Sequence, residues 1–155
     1  PHSFAPYSAA MRHRLATLAT SLALVLWVVG CAEYADRREA EHVLVHHFEA
    51  LAHRDYDAAM ADYDDSFFED VTRTEWRGML VSVMDKLGSF KGYDVSAFGL
   101  ASRRLSGPGT YVRFRCKVSY SKHTSDEILY LFRKQGAAKF KILGHQIDSD
   151  GLLIK

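Results

Sequence analysis

Cysteine is nearly absent: Cys31 and Cys116 are the only two, so no framework of disulfides is available and stability has to come from packing. Low-complexity tracts and internal repeats are also missing after Cys31, which sets aside disorder and solenoid architectures. Net charge is close to nil at +1, yet it hides a division. Acidic side chains far outnumber basic ones between residues 33 and 70, and the balance reverses from 71 to 155. A strongly dipolar domain is the expectation. With 155 residues, 48% of them hydrophobic and 25% charged, the chain has the composition of an ordinary globular protein and length for one domain.

A membrane-spanning run is lacking as well. The uncharged run that leads up to Cys31, Leu15 to Gly30, holds 16 residues, short of the roughly 20 that a spanning helix needs. Arg12, His13 and Arg14 precede it, and it turns polar at Glu33 just beyond Cys31. A charged start, an apolar middle and a small residue at the boundary are the layout of an export signal. Residues 1 to 10, upstream of Met11, carry no acidic or basic residue, and Met11 is the expected translation start.

Val28-Val29-Gly30-Cys31 resembles the lipobox of bacterial lipoproteins, an aliphatic residue three before a cysteine and a small one just before it. The chemistry accounts for the residue types: a lipid transferase needs an accessible thiol, and the signal peptidase a small residue at the cleavage point. The resemblance implies cleavage between Gly30 and Cys31, lipid on Cys31, and a short polar tether. The expected organisation is a signal peptide over 1–30, a lipidated tether over 31–38 and a domain over 39–155. If lipid takes Cys31, Cys116 has no partner within the chain. Ala32 does not match the aspartate that retains lipoproteins in the inner membrane, so in a Gram-negative cell the expected place is the outer membrane, facing the periplasm.

Beyond the tether, Ala40, Val43, Leu44, His47, Phe48 and Leu51 recur at spacings of three and four, predicting an amphipathic helix over 35–53. A shorter helix is expected over 56–63, with Tyr56, Ala59, Met60 and Tyr63 on one side. A third starts at Thr72, where Thr72-x-x-Glu75 reads as a capping box, carries Trp76, Leu80, Val83 and Leu87 on one face, and stops at Gly88. After Gly92 the period changes to two. Strands are expected over 93–105, 111–120, 128–134 and 139–147. The second is the cleanest, with Val112, Phe114, Cys116, Val118 and Tyr120 inward and Tyr111, Arg113, Arg115, Lys117 and Ser119 outward. Helices followed by an antiparallel meander predict an α+β domain: three helices packed on a curved four-stranded sheet, preceded by a signal-peptide helix.

His53-Arg-Asp-Tyr-Asp-Ala-Ala-Met60, Thr74-Glu-Trp-Arg-Gly-Met-Leu80 and Lys86-Leu-Gly-Ser-Phe-Lys-Gly-Tyr93, followed by four strands, resemble the nuclear transport factor 2-like superfamily, the cystatin-like or SnoaL-like cone. The resemblance covers about residues 38 to 148. It implies a cone whose interior often holds a pocket, in a superfamily that includes isomerases, dehydratases and many members without enzymatic activity, so fold alone assigns no function.

His42, His46, Glu49 and His53 fall within about 60° of one another on a helical wheel, and i, i+4 histidines can share one zinc ion. A single surface helix offers too few ligands for a closed site, so the expectation is a solvated face and no metal. His47 instead falls inside the apolar stripe. With Tyr63, Trp76 and His145 it is the expected lining of a cone pocket, where an imidazole can act as a general base, although no catalytic carboxylate is identifiable. Arg113, Arg115, Lys117, Arg133, Lys139 and Lys141 are expected to form one basic sheet face suited to anionic headgroups or an acidic partner. Cys116, inward between Phe114 and Val118, reads as a small buried hydrophobe.

The expected function is therefore that of a lipid-anchored envelope protein acting as a non-enzymatic binding or interaction module. It has no cofactor and no nucleic-acid partner, and its partners are the membrane, through Cys31, and an envelope protein or small ligand. The alternative is a small-molecule binder or a lyase or isomerase using His47. Replacing the thiol tests the anchor: Cys31→Ser should abolish lipidation and leave an unprocessed precursor, read by intact mass and by partition between membrane and soluble fractions. An unchanged mature mass and distribution would remove the anchor.

Overall fold

A computed structural model describes residues 34–100 and 107–153. The signal segment with Met11, Gly30 and Cys31, the tether as far as Glu33, and the expected end of the first strand past Leu100 lie outside these residues. Contacts divide the chain into Pro1–Arg38 and Glu39–Lys155. Of the first unit, residues 34–38 are described and are helical. No helix among the described residues is long and apolar enough to cross a membrane.

The second unit is α+β. Helix α1 covers residues 39–52 and is followed by α2 (Tyr56–Met60), a 3-10 turn (Asp65–Glu69) and α3 (Arg73–Leu87). Four strands then run in sequence, β1 (Phe90–Leu100), β2 (Gly109–Tyr120), β3 (Thr124–Lys134) and β4 (Lys141–Asp148), before a last turn of helix, α4 (Asp150–Leu153). The sheet order is β1-β2-β3-β4 and every pairing is antiparallel.

The local chemistry explains the boundaries. Thr72 Oγ1 accepts from the Glu75 amide while Glu75 accepts from the Thr72 amide, so the capping box is complete. Gly88 ends α3 with φ of +94°, and a side chain there would collide with Ser121. The helix expected over 56–63 is shorter, because the backbone of Asp62 and Asp64 bonds to Ile142 at 2.8 and 2.9 Å. Tyr63 thereby forms a parallel bridge along β4, and the chain covers that strand's outer edge instead of continuing as helix. Asp64 then caps the 3-10 turn by accepting from Ser66, an element the hydrophobic period does not announce.

Leu44, Phe48, Leu51, Trp76, Leu80, Leu87, Phe114, Leu129, Leu131 and Ile142 belong to one buried core. Phe48 of α1 stacks on Phe90 and lies 4.4 Å from the Tyr93 ring. All five inward residues expected on β2 are buried. The opposite face is less wet than expected: Tyr111 is buried, stacked on Phe132 with ring centroids 4.5 Å apart. Nor do the six basic residues form one face. Arg133 turns to Glu39 on α1, and Lys141 donates to the Ala61 carbonyl at 2.6 Å, which leaves Arg113, Arg115 and Lys117 as the exposed row.

Burial on alternate sides of β2 gives a direct test. Phe114, with 0% exposure, should cost about 3–5 kcal/mol when truncated to alanine, a large share of a small domain's stability. Arg115→Ala, exposed on the other face, should cost about 0.5 kcal/mol or less. Urea melts decide, and equal small shifts in midpoint, or a larger one for Arg115→Ala, would reverse the strand's phase.

Candidate functional site

α1, the linker after α2, α3 and β4 each contribute one ring to a single cluster. His47 lies 5.4 Å from Tyr63 and 5.5 Å from His145, ring centre to ring centre, and Trp76 lies 5.8 Å from both Tyr63 and His145. The four residues expected to line a pocket are thus brought together, but they touch one another edge to face and are buried.

The carboxylate that sequence reasoning missed is Glu127, on the inner side of β3 and 0% exposed. Its Oε1 accepts from Tyr120 Oη at 2.9 Å and from Ser125 Oγ at 2.7 Å, and its Oε2 lies 2.8 Å from His145 Nε2. His145 Nδ1 is 2.8 Å from Tyr63 Oη. A carboxylate only accepts, so the proton on His145 sits at Nε2 and is donated to Glu127. In the neutral ring Nδ1 then accepts from the Tyr63 hydroxyl. Tyr63, His145 and Glu127 form a relay whose every member has a partner. A signal existed in the sequence: the inward alternation of Leu129 and Leu131 extends back to Glu127 and Ser125, which precede the expected start of the third strand at 128.

Electrostatics hold the phenols of this network in their protonated form. Burial raises the Tyr63 phenol well above its ordinary range, and burial together with the neighbouring Glu127 does the same to Tyr120, so both stay proton donors. Burial, reinforced by nearby His145, pushes the His47 imidazole down to about 3. His47 Nδ1 reaches the Ala59 carbonyl at 3.4 Å, while its Nε2, the Trp76 Nε1 and the Tyr56 hydroxyl have no hydrogen-bond partner among the described residues. Burial also pushes the Cys116 thiol up to about 12, leaving it an unreactive small hydrophobe.

The open clefts lie elsewhere. One of about 340 Å³ is lined by Phe67, Asp70, Tyr111, Tyr130, Leu143 and Gln146 among others, and His145 borders it. The His145 side chain is nonetheless 0% exposed, so what reaches this cleft is main chain. A groove of about 550 Å³ runs past His42, His46, Asp62 and Lys139. There His46 pairs with Asp62 at 2.8 Å, and burial raises the Asp62 carboxyl while His46 lowers it. His42, His46, Glu49 and His53 are exposed. Among the described residues no three His, Cys, Asp or Glu side chains converge in a way that would hold a metal ion.

Comparison of the chain with protein-family models, curated proteins and solved structures finds no match.

The depressed His47 predicts a pH dependence. Between about 3 and its ordinary 6.5 the unfolded chain carries a proton there that the folded chain does not. Stability is therefore intact above pH 6.5 and falls as pH falls, by about 1.4 kcal/mol per unit. His47→Leu removes the group. From neutral pH to about pH 5, the wild type should lose about 2 kcal/mol more than the variant in urea melts. Equal losses would mean that His47 accepts its proton without unfolding.

Proposed function

We propose that this is a lipid-anchored protein of the bacterial cell envelope, held by lipid on Cys31, whose domain from Glu39 onward is a non-enzymatic binding or interaction module. In this reading three helices lead into the sheet of a nuclear transport factor 2-like cone, the signal peptide ends at Gly30, and a Gram-negative host would carry the protein on its outer membrane facing the periplasm. Its partner is an envelope protein or a small ligand, and not nucleic acid.

The closed interior supports the module. A general base has to come within hydrogen-bond reach of a substrate proton, whereas the His47 and His145 side chains are 0% exposed. Buried polar networks that are fully satisfied rigidify a fold, and Tyr63, His145, Glu127, Tyr120 and Ser125 satisfy one another. The Tyr63–His145–Glu127 geometry is also what supports the second reading, a lyase or isomerase that opens to expose these groups.

Diethyl pyrocarbonate, which acylates accessible imidazoles, separates the two. In the folded full chain His42, His46 and His53 should be modified and His47 and His145 spared, as read by mass spectrometry of the digested protein. Modification of His47 or His145 as fast as of the surface histidines would open the interior and favour the enzyme.

A further inference from the structure

The outer face of the sheet carries a row that crosses all four strands. Gly99 pairs with Arg113, Arg113 with Tyr130, and Tyr130 with Gly144. The next row on the same face is Ala97, Arg115, Ile128 and Gln146. Small residues flank the arginines on one side, and on the other the Tyr130 ring lies over the bare backbone of Gly144, 3.4 Å from where a side chain would begin. Tyr130, Gly144 and Gln146 are also wall residues of the 340 Å³ cleft, whose apolar surfaces come from Phe67, Val71, Tyr111 and Leu143. Adjacent strands lie about 4.8 Å apart, so Arg113 stands at the edge of this cleft.

Three of the charges here make no ion pair among the described residues. Lys117 is flanked by Asp94 and Asp126 on the neighbouring strands. Arg113 and Arg115 have no such neighbour, are exposed, and make no ion pair among the described residues. Asp70, in the cleft wall at the end of the 3-10 turn, is likewise exposed and makes no ion pair among the described residues. Nearby, Asp64 accepts from Ser66 and Asp65 pairs with Arg73, while Glu69 beside Asp70 is exposed as well. A largely apolar cleft with an exposed carboxylate in its wall, and exposed guanidinium groups on the strand next to its Tyr130 wall, is complementary to a ligand carrying both charges.

We infer that this cleft binds a short apolar peptide by its free ends, the terminal ammonium against Asp70 and the terminal carboxylate against Arg113 and Arg115, with the side chains on Tyr130, Tyr111 and Leu143. The volume is at the lower end of the about 300–1,000 Å³ typical of small-molecule sites, which suits two residues. A guanidinium presents paired donors to a carboxylate, and the aromatic floor supplies contact area at little entropic cost. The inference rests on the reading of the domain as a binding module and gives that module a ligand class.

The test is isothermal titration of the full chain in detergent with the dipeptide Leu-Phe, its N-acetyl form and its C-terminal amide. Leu-Phe should bind one to one and tighter than about 1 mM, and blocking either end should weaken binding about ten-fold. Asp70→Asn should erase the difference between free and acetylated peptide alone. Arg113→Ala with Arg115→Ala should erase the difference between acid and amide alone. All three residues are exposed, and a thermal melt of each variant shows that it is folded. No saturable binding by the folded wild type, or end preferences that survive in the variants, would overturn the inference. Binding of phenylalanine as tight as that of Leu-Phe would overturn the peptide in favour of a free amino acid. Failure here with His47 and His145 still protected removes this ligand only, whereas acylation of those histidines removes the module itself.

Discussion

Burying a carboxylate costs several kcal/mol unless donors converge on it, and Glu127 imposes that requirement at the inner side of the sheet. Its donors come from the end of β2 (Tyr120), from two residues earlier on β3 (Ser125) and from the middle of β4 (His145), which in turn is bonded by Tyr63 from the linker after α2. Each strand has to be in register for these groups to meet, since a slip of one residue would turn Glu127 to the opposite face and strand its donors. The backbone bridge between Tyr63 and Ile142 brings the fourth partner to the edge of β4. Topology, register and the path of the linker all follow from the need to satisfy one buried group.

Around that network the packing is aromatic and tight. His47, Phe48, Tyr63, Phe67, Trp76 and His145 meet mostly edge to face, an arrangement worth about 0.5–1.5 kcal/mol per aromatic pair beyond area burial. The cluster also contains polar atoms that it leaves unpaired, at His47 Nε2, Trp76 Nε1 and Tyr56 Oη, each costing about 1–3 kcal/mol. The hydrogen-bonded network at its centre is the kind that rigidifies a fold. On the outer face of the sheet, by contrast, Tyr130, Gly144 and the two arginines form a chemically mixed patch.

Part of the charge division along the chain is met by ion pairs within the fold. Glu39 meets Arg133, Asp57 meets Arg77, Asp65 meets Arg73 and Arg54 meets Asp85. Most of these pairs are exposed and are worth only about 0–1 kcal/mol each. They also neutralise part of the surface charge, whereas Arg113, Arg115 and Asp70 make no ion pair among the described residues.

The sequence by itself determined what depends on one residue at a time facing water or core. The stripe of α1, the capping box at Thr72, the stop at Gly88 and the alternation of β2 were legible because 3.6- and 2-residue periods and capping hydrogen bonds are local. Placing His47, Tyr63, Trp76 and His145 in one cluster was also within reach, since each sits on the apolar side of its element. Only the tertiary structure decided that this cluster is closed, that Glu127 and not an acidic residue of the early helices is the buried carboxylate, that α2 ends at Met60, and that Arg133 and Lys141 leave the basic face. Those outcomes depend on which polar groups from distant segments meet at what depth. Hydrophobic periodicity cannot encode this, because hydrogen-bond and ion-pair partners are fixed by sheet register and by the path of the chain between elements.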